Sequence, residues 1–88
     1  MDYFLFTYPN CPSCQELKEF LDKTELEVEE YNLVAKKSKM KIREFLSCIK
    51  RDSTGAIKIP SLIAQESGKV EVVLNNRQEM EDWLKSKA

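Results

Sequence analysis

The sequence contains no histidine. That absence excludes Cys–His and Ser–His catalysis, and any His-ligated metal, within this chain. The chemistry left open uses sulfur, carboxylates, amines or tyrosine. Long apolar runs are also missing. A bilayer span needs about 20 predominantly apolar residues, and no segment approaches that length. The run Tyr3-Phe4-Leu5-Phe6 is too short for a signal h-region, and no basic n-region precedes it. The expectation is a cytoplasmic chain with no membrane partner. An excess of one charge sign is absent too: 14 Lys and Arg stand against 15 Asp and Glu, with a net charge of −1. The cations are spread along the sequence, so no nucleic-acid partner is expected. Repeats, low-complexity tracts and linkers are lacking. With 88 residues, the expectation is a single domain spanning 1–88. The 42% apolar and 33% charged content is an ordinary globular balance, neither disordered nor fibrous.

What the chain does carry is three cysteines, two of them in Cys11-Pro12-Ser13-Cys14. In a reducing compartment a cysteine pair is more often catalytic or metal-binding than structural. C-x-x-C alone therefore has two readings, a redox dithiol or half of a zinc site. Zinc normally takes four ligands, and this chain offers at most three sulfurs and a carboxylate. No bound metal is expected within it. An iron–sulfur cluster shared between two chains through Cys11 stays open as a second use of the same sulfur.

The surrounding pattern favours the dithiol. Tyr3 to Phe6 reads as a strand buried on both faces. Pro9 and Asn10 end it. A helix starts at Cys11-Pro12, since proline suits the first helical position, where its missing N–H costs nothing. Cys14, Leu17, Phe20 and Leu21 follow at helical spacing. Val28 to Leu33 reads as a second strand. Ile42, Phe45, Leu46 and Ile49 stand at i, i+3, i+4 and i+7 and predict a second amphipathic helix. Arg51 to Gly55 is a loop. Ile59 to Gln65 is a third strand, with Pro60 at its start, where a strand tolerates it. Ser67-Gly68 turns the chain into a fourth strand through Val70, Val72 and Leu74. Asn76 is a candidate cap for a last helix, with Glu79 three residues on and Met80, Trp83 and Leu84 as its inner stripe. The order is β-α-β-α-β-β-α, an α/β chain with a mixed four-stranded sheet flanked by helices.

This order places Cys11 at a helix N-cap, among unpaired N–H groups and at the positive end of the helix dipole. A thiolate there is stabilised below the ~8.5 of a free cysteine. Cys11 is thus the expected nucleophile. Cys14, one turn into the buried face, is the expected resolving thiol. Cys48 sits on the flank of the second helix, beside the Phe45/Ile49 stripe, and reads as a structural small hydrophobe. Tyr8 is expected to wall the dithiol, and Trp83 to be core.

Phe6-Thr7-Tyr8-Pro9-Asn10-Cys11-Pro12-Ser13-Cys14, the Thr54-Gly55 loop and Ile59-Pro60 resemble the landmarks of the glutaredoxin family, in order and in spacing. The resemblance implies a thioredoxin-like fold. It implies a dithiol thiol–disulfide oxidoreductase that reduces protein or glutathione mixed disulfides through Cys11 and Cys14. It implies a cis Ile59–Pro60 bond facing the dithiol, with the Ile59 backbone pairing to an incoming substrate as an added strand. Substrate contacts are expected at Tyr8, Pro12, Ser13, Ile59, Pro60, Asn75 and Asn76. The expected partners are a disulfide-containing protein and a reductant, either glutathione as co-substrate or a flavoprotein reductase. No tightly bound cofactor is expected, and the chain is expected to be monomeric. Two alternatives stand beside this: an iron–sulfur carrier using Cys11 at a dimer interface, and a dedicated electron donor to one protein.

The sequence also departs from the family. Tyr8 stands where a lysine is common and Ser13 where a tyrosine is common. The usual Gly-Gly turn with its acidic follower appears as Asn75-Asn76-Arg77-Gln78. In the family that turn holds the γ-glutamyl end of glutathione, so weaker glutathione binding is expected. Lys50, Arg51 and Lys58 are candidates for pairing with a glutathione carboxylate.

Overall fold

Strand β1 (Asp2–Thr7) lies in the middle of the sheet, as a strand apolar on both sides must. The computed structural model describes residues 1–87. After β1 come α1 (Pro12–Asp22), β2 (Val28–Asn32) and α2 (Lys36–Ile42), the last continued by a 3-10 turn over Arg43–Phe45. Then follow β3 (Ser61–Glu66), β4 (Lys69–Leu74) and α3 (Arg77–Lys87). The sheet order is β2-β1-β3-β4. β1 pairs parallel with β2 and antiparallel with β3, and β3 pairs antiparallel with β4. Among the described residues no helix is long and apolar enough to cross a membrane.

Alternation along β1 sends its side chains to two separate cores. Phe4 and Phe6 join Ile63, Val73, Leu33, Ile42, Phe45 and Ile49 on the α2 face. Leu5 joins Leu62, Leu74, Leu17 and Leu21 of α1, and Met80 of α3, on the other. Phe6 stacks on Tyr31 at 5.5 Å between ring centroids. Each such side chain contributes on the order of 1.5–3 kcal/mol through burial, so the two-sided β1 anchors both layers. β1 ends where Thr7 O accepts from Leu33 N–H (2.8 Å), and Asn10, at φ 55°, turns the chain into α1.

Three expectations need adjustment. The second amphipathic helix begins earlier and ends sooner than its apolar stripe. Regular helix stops at Ile42, and the chain continues through 3-10 and turn geometry. Because i and i+3 eclipse in a 3-10 turn, Ile42 and Phe45 still share a face, and both are buried with Ile49. Leu46 is rotated outward and 40% exposed. The third strand starts at Ser61 rather than Ile59, and its pairing with β1 stops at Phe6–Ser61. Pro60 has no N–H for a ladder, and Ile59 and Pro60 form a bend. The cations are less evenly spread than composition suggests: Lys36, Lys37, Lys39 and Lys41 all lie on α2, which has no acidic residue.

The hairpin agrees with its signal. Glu66 pairs with Lys69, leaving a two-residue loop. Ser67 and Gly68 both have positive φ, 51° and 79°, as the twist-matched hairpin turn requires. Asn76 caps α3, its Oδ1 accepting from Glu79 N–H at 2.8 Å.

Candidate active site

The dithiol occupies the first turn of α1. Cys11 is the N-cap, with extended backbone (φ −114°, ψ 103°) and Pro12 following it into the helix. Its carbonyl accepts the first helical bond, from Gln15 N–H (3.0 Å). Its Sγ accepts from Cys14 N–H at 3.2 Å, which is the role an N-cap side chain plays. No acidic residue stands in this first turn, so nothing there opposes negative charge on the sulfur. Cys11 is partly exposed and Cys14 only 3% exposed. The two form a disulfide, with their Cα atoms 5.2 Å apart.

A cleft of about 440 Å³ opens beside them, lined among others by Tyr8, Pro12, Lys18 and Glu30. At its floor is a polar group that sequence reasoning did not find. Thr7, 1% exposed, donates its hydroxyl to Glu30 Oε2 at 3.0 Å. The same oxygen pairs with Lys18 Nζ at 3.3 Å. One signal was available: Lys18 is four residues after Cys14, on the same face of α1. The Thr7–Glu30 contact crosses from β1 to β2 and has no local signature.

A second groove, about 510 Å³, lies on the other side of Tyr8 and is lined by Tyr8, Ser13, Asp52, Ile57, Lys58, Ile59, Asn75, Asn76 and Glu79. Ile59, in its wall, is joined to the buried Pro60 by a cis bond. Asp52 organises one rim. Its Oδ1 accepts from the Thr54 hydroxyl (2.6 Å), Thr54 N–H (2.9 Å) and Ala56 N–H (3.1 Å). The Thr54 hydroxyl and these N–H groups hold its carboxyl below the usual value of 3.8. Asn75 organises the opposite rim. Its Nδ2 donates to Pro60 O (3.0 Å), Ser61 Oγ (3.1 Å) and, more weakly, Lys58 O (3.4 Å). Its own N–H donates to Glu79 Oε1 at 2.8 Å.

Comparison with known proteins places this geometry. The sequence profile of glutaredoxins matches residues 4–67. The chain belongs to the glutaredoxin family. Among solved structures, the thioredoxin-like protein BC3987 superposes with a TM-score of 0.60 at 22% identity, covering 92% of this chain and 97% of that one. A single-residue mutant of it gives 0.63 at 19% identity, covering 94% and 99%. Both likenesses establish the thioredoxin-like fold. No curated protein sequence matches the chain.

For a glutaredoxin the distribution of the expected contact residues is uneven. Tyr8 is 50% exposed and lines both grooves. Pro12 lies on the dithiol cleft, while Ser13, Ile59, Asn75 and Asn76 lie on the second groove. Pro60 is fully buried and lines neither of these cavities. The Asn75–Gln78 stretch is held partly by its own side chains. The Asn75 amide is tied to the Lys58–Ser61 segment, and the Asn76 Oδ1 is engaged as the cap of α3. Of the candidate cations, Lys50 is 3.9 Å from Glu79 and Arg51 donates to Gly55 O at 2.9 Å. Lys58 lines the groove itself. Cys48 corrects the expectation of a structural small hydrophobe: it is free and exposed, because the helix it was expected to flank has given way to a turn there.

Proposed function

We propose that the protein is a dithiol thiol–disulfide oxidoreductase, with Cys11 as nucleophile and Cys14 as resolving thiol. The observation that carries this reading is the N-cap position of Cys11, whose Sγ accepts the Cys14 N–H. Unpaired N–H groups and the helix dipole at that position favour a thiolate over a thiol. Cys14, one turn deeper and buried, is shielded from an incoming substrate but within reach of Cys11.

The reduced protein acts on a disulfide R–S–S–R′. The Cys11 thiolate attacks one sulfur; the S–S bond breaks, a Cys11–S–R bond forms, and R′S⁻ leaves to be protonated. Cys14, on losing its proton, attacks the Cys11 sulfur and displaces RS⁻. The protein dithiol has given two electrons to the substrate and becomes the Cys11–Cys14 disulfide. An external thiol or a flavoprotein reductase returns two electrons to close the cycle. Tyr8 and Ser13 flank the sulfurs, and the Ile59 backbone, outside the β3 ladder, offers an edge for an extended substrate. Asn75 Nδ2 and Asn76 Oδ1, engaged as clamp and cap, are two groups of the turn that glutathione does not find free. A protein disulfide is therefore the favoured substrate, and glutathione a weaker ligand than in other members of the family.

Alkylation of the reduced protein with iodoacetamide against pH, read by peptide mapping, tests the proposal. Cys11 reacts with a midpoint below ~8.5 and Cys14 far more slowly. Equal rates at the two sulfurs, with a midpoint at that of free cysteine, overturn the assignment.

A further inference from the structure

Tyr8 borders a third cavity, whose lining differs in character from the first two. It has a volume of about 500 Å³ and is lined by Tyr8, Leu33, Val34, Lys39, Ile42 and Ile57. Five of these six side chains are apolar or aromatic. Val34 is 63% exposed and Tyr8 50% exposed. Single exposed apolar residues need no explanation. These are contiguous, and through Tyr8 they run on to the cleft that holds Cys11. A polypeptide seated with its sulfur at Cys11 therefore reaches this groove by passing over one side chain.

The rim adds a charge. Lys39 lines the groove, and α2 also carries Lys36 and Lys37. Among the described residues none of these three takes part in an ion pair, whereas Lys41 is paired with Glu44 at 3.3 Å and lies over the Phe4 ring at 4.6 Å. The net charge of the chain is −1, so this is a local positive field on a nearly neutral protein. Within about 8 Å at physiological salt such a field selects for anionic groups.

We infer that this groove docks a disulfide-bearing polypeptide that carries an apolar side chain and acidic residues close to its reactive cysteine. The inference rests on the oxidoreductase reading and specifies its substrate. The apolar side chain enters between Tyr8, Val34 and Ile57; the acidic residues face Lys39 and its neighbours on α2. Glutathione, with no apolar side chain beyond its cysteine, does not use the groove.

The test is single-turnover reduction by the fully reduced protein, with products separated by chromatography. Each turnover converts the protein dithiol to its disulfide and one symmetrical peptide disulfide to two peptide thiols. The probes are three short peptide disulfides, in which the cysteine is flanked by leucine and two glutamates, by leucine and two lysines, or by glycines alone. Bis(2-hydroxyethyl) disulfide is the small control. The glutamate peptide reacts fastest, about tenfold ahead of the lysine peptide at low ionic strength, and the gap closes near 1 M salt, where the screening length is about 3 Å. Lys39→Glu, which leaves Lys36 and Lys37 in place, closes most of the gap between the charged peptides. Val34→Ser slows both leucine peptides by about three- to tenfold without moving the small control. Equal rates for all three peptides overturn the inference. So does a Lys39→Glu or Val34→Ser effect of the same size on the small control. If Lys39→Glu instead abolishes retention on anionic vesicles or DNA and leaves peptide selectivity untouched, the basic face serves another partner and the inference falls. Reduction of the small disulfide without peptide selectivity removes only this inference. Failure to reduce any of the four removes the oxidoreductase reading with it.

Discussion

Asn75→Ala removes the amide that ties the start of α3 to the segment ahead of β3. Two sound hydrogen bonds are lost, to Pro60 O at 3.0 Å and Ser61 Oγ at 3.1 Å. Ser61 keeps a partner, because its hydroxyl donates to Lys58 O at 2.6 Å. Pro60 O loses this donor. At about 0.5–1.5 kcal/mol for each bond, the loss is about 1–3 kcal/mol. One term opposes it: Asn75 Oδ1 is buried with no partner, and its removal recovers part of a desolvation cost. The net destabilisation is then about 1–2 kcal/mol. In a chain of this size each kcal/mol lowers Tm by about 4–8 °C, so Tm falls by about 5–15 °C. Urea titration of the oxidised protein reads the same change as a lower midpoint with an unchanged slope. Asn75→Asp is the sharper arm. It sets a carboxylate where two acceptors had been given donors, so the folded state raises its pKa above the ~3.9 of the unfolded chain. The penalty is absent below the unfolded value, grows as pH rises toward the folded value, and is complete above it. Asn75→Asp is therefore less stable than Asn75→Ala at pH 7 and regains ground in acid. An Asn75→Ala change under about 0.5 kcal/mol, or an aspartate variant whose deficit does not change with pH, refutes the reasoning. The same clamp bears on ligand affinity, since restoring glycine at residue 75 removes the amide that shapes the groove.

Cys14→Ser accumulates a mixed disulfide on Cys11, visible by mass spectrometry, because the resolving sulfur is gone. Cys11→Ser abolishes reduction, while Cys48→Ser, at an exposed free thiol, retains it; loss of activity in the last variant reveals a third working thiol. Asp52 titrates below 3.8 because the Thr54 hydroxyl and two N–H groups favour its carboxylate. The stabilisation it contributes to the Asp52–Ala56 loop is complete above the unfolded value and lost as pH falls through the depressed one; a carboxyl carbon NMR titration with a midpoint at or above 3.8 contradicts this. Leu17→Ala, at a fully buried position under the dithiol helix, costs about 2–5 kcal/mol, measured as a shift in the denaturation midpoint.

Legibility followed the range of the signal. The doubly buried β1, the Ser67-Gly68 hairpin and the Asn76 cap are written in residues that act on their neighbours, and each is found in its expected place. So is the Cys11 N-cap, because a strand, a break and Pro12 suffice to place it. The second helix misled for a related reason. The stripe Ile42, Phe45, Leu46 and Ile49 reports which side is buried, and a 3-10 turn satisfies most of it as well as an α-helix does. Only tertiary packing decided that Leu46 and Cys48 face solvent.

The sequence by itself determined the element order, the two-faced sheet and the position of the dithiol, since hydrophobic period, capping and turn chemistry act over a few residues. The surroundings of the dithiol were decided by the sheet order. Placing β2 beside β1 brings Glu30 to Thr7 and Lys18. Placing β3 and β4 on the other side brings Asn75 to the carbonyls of Lys58 and Pro60. The packing of α2 against that sheet sets Lys39 and Val34 around one groove with Tyr8. These contacts join residues distant along the chain, and no local periodicity records which strand will be whose neighbour.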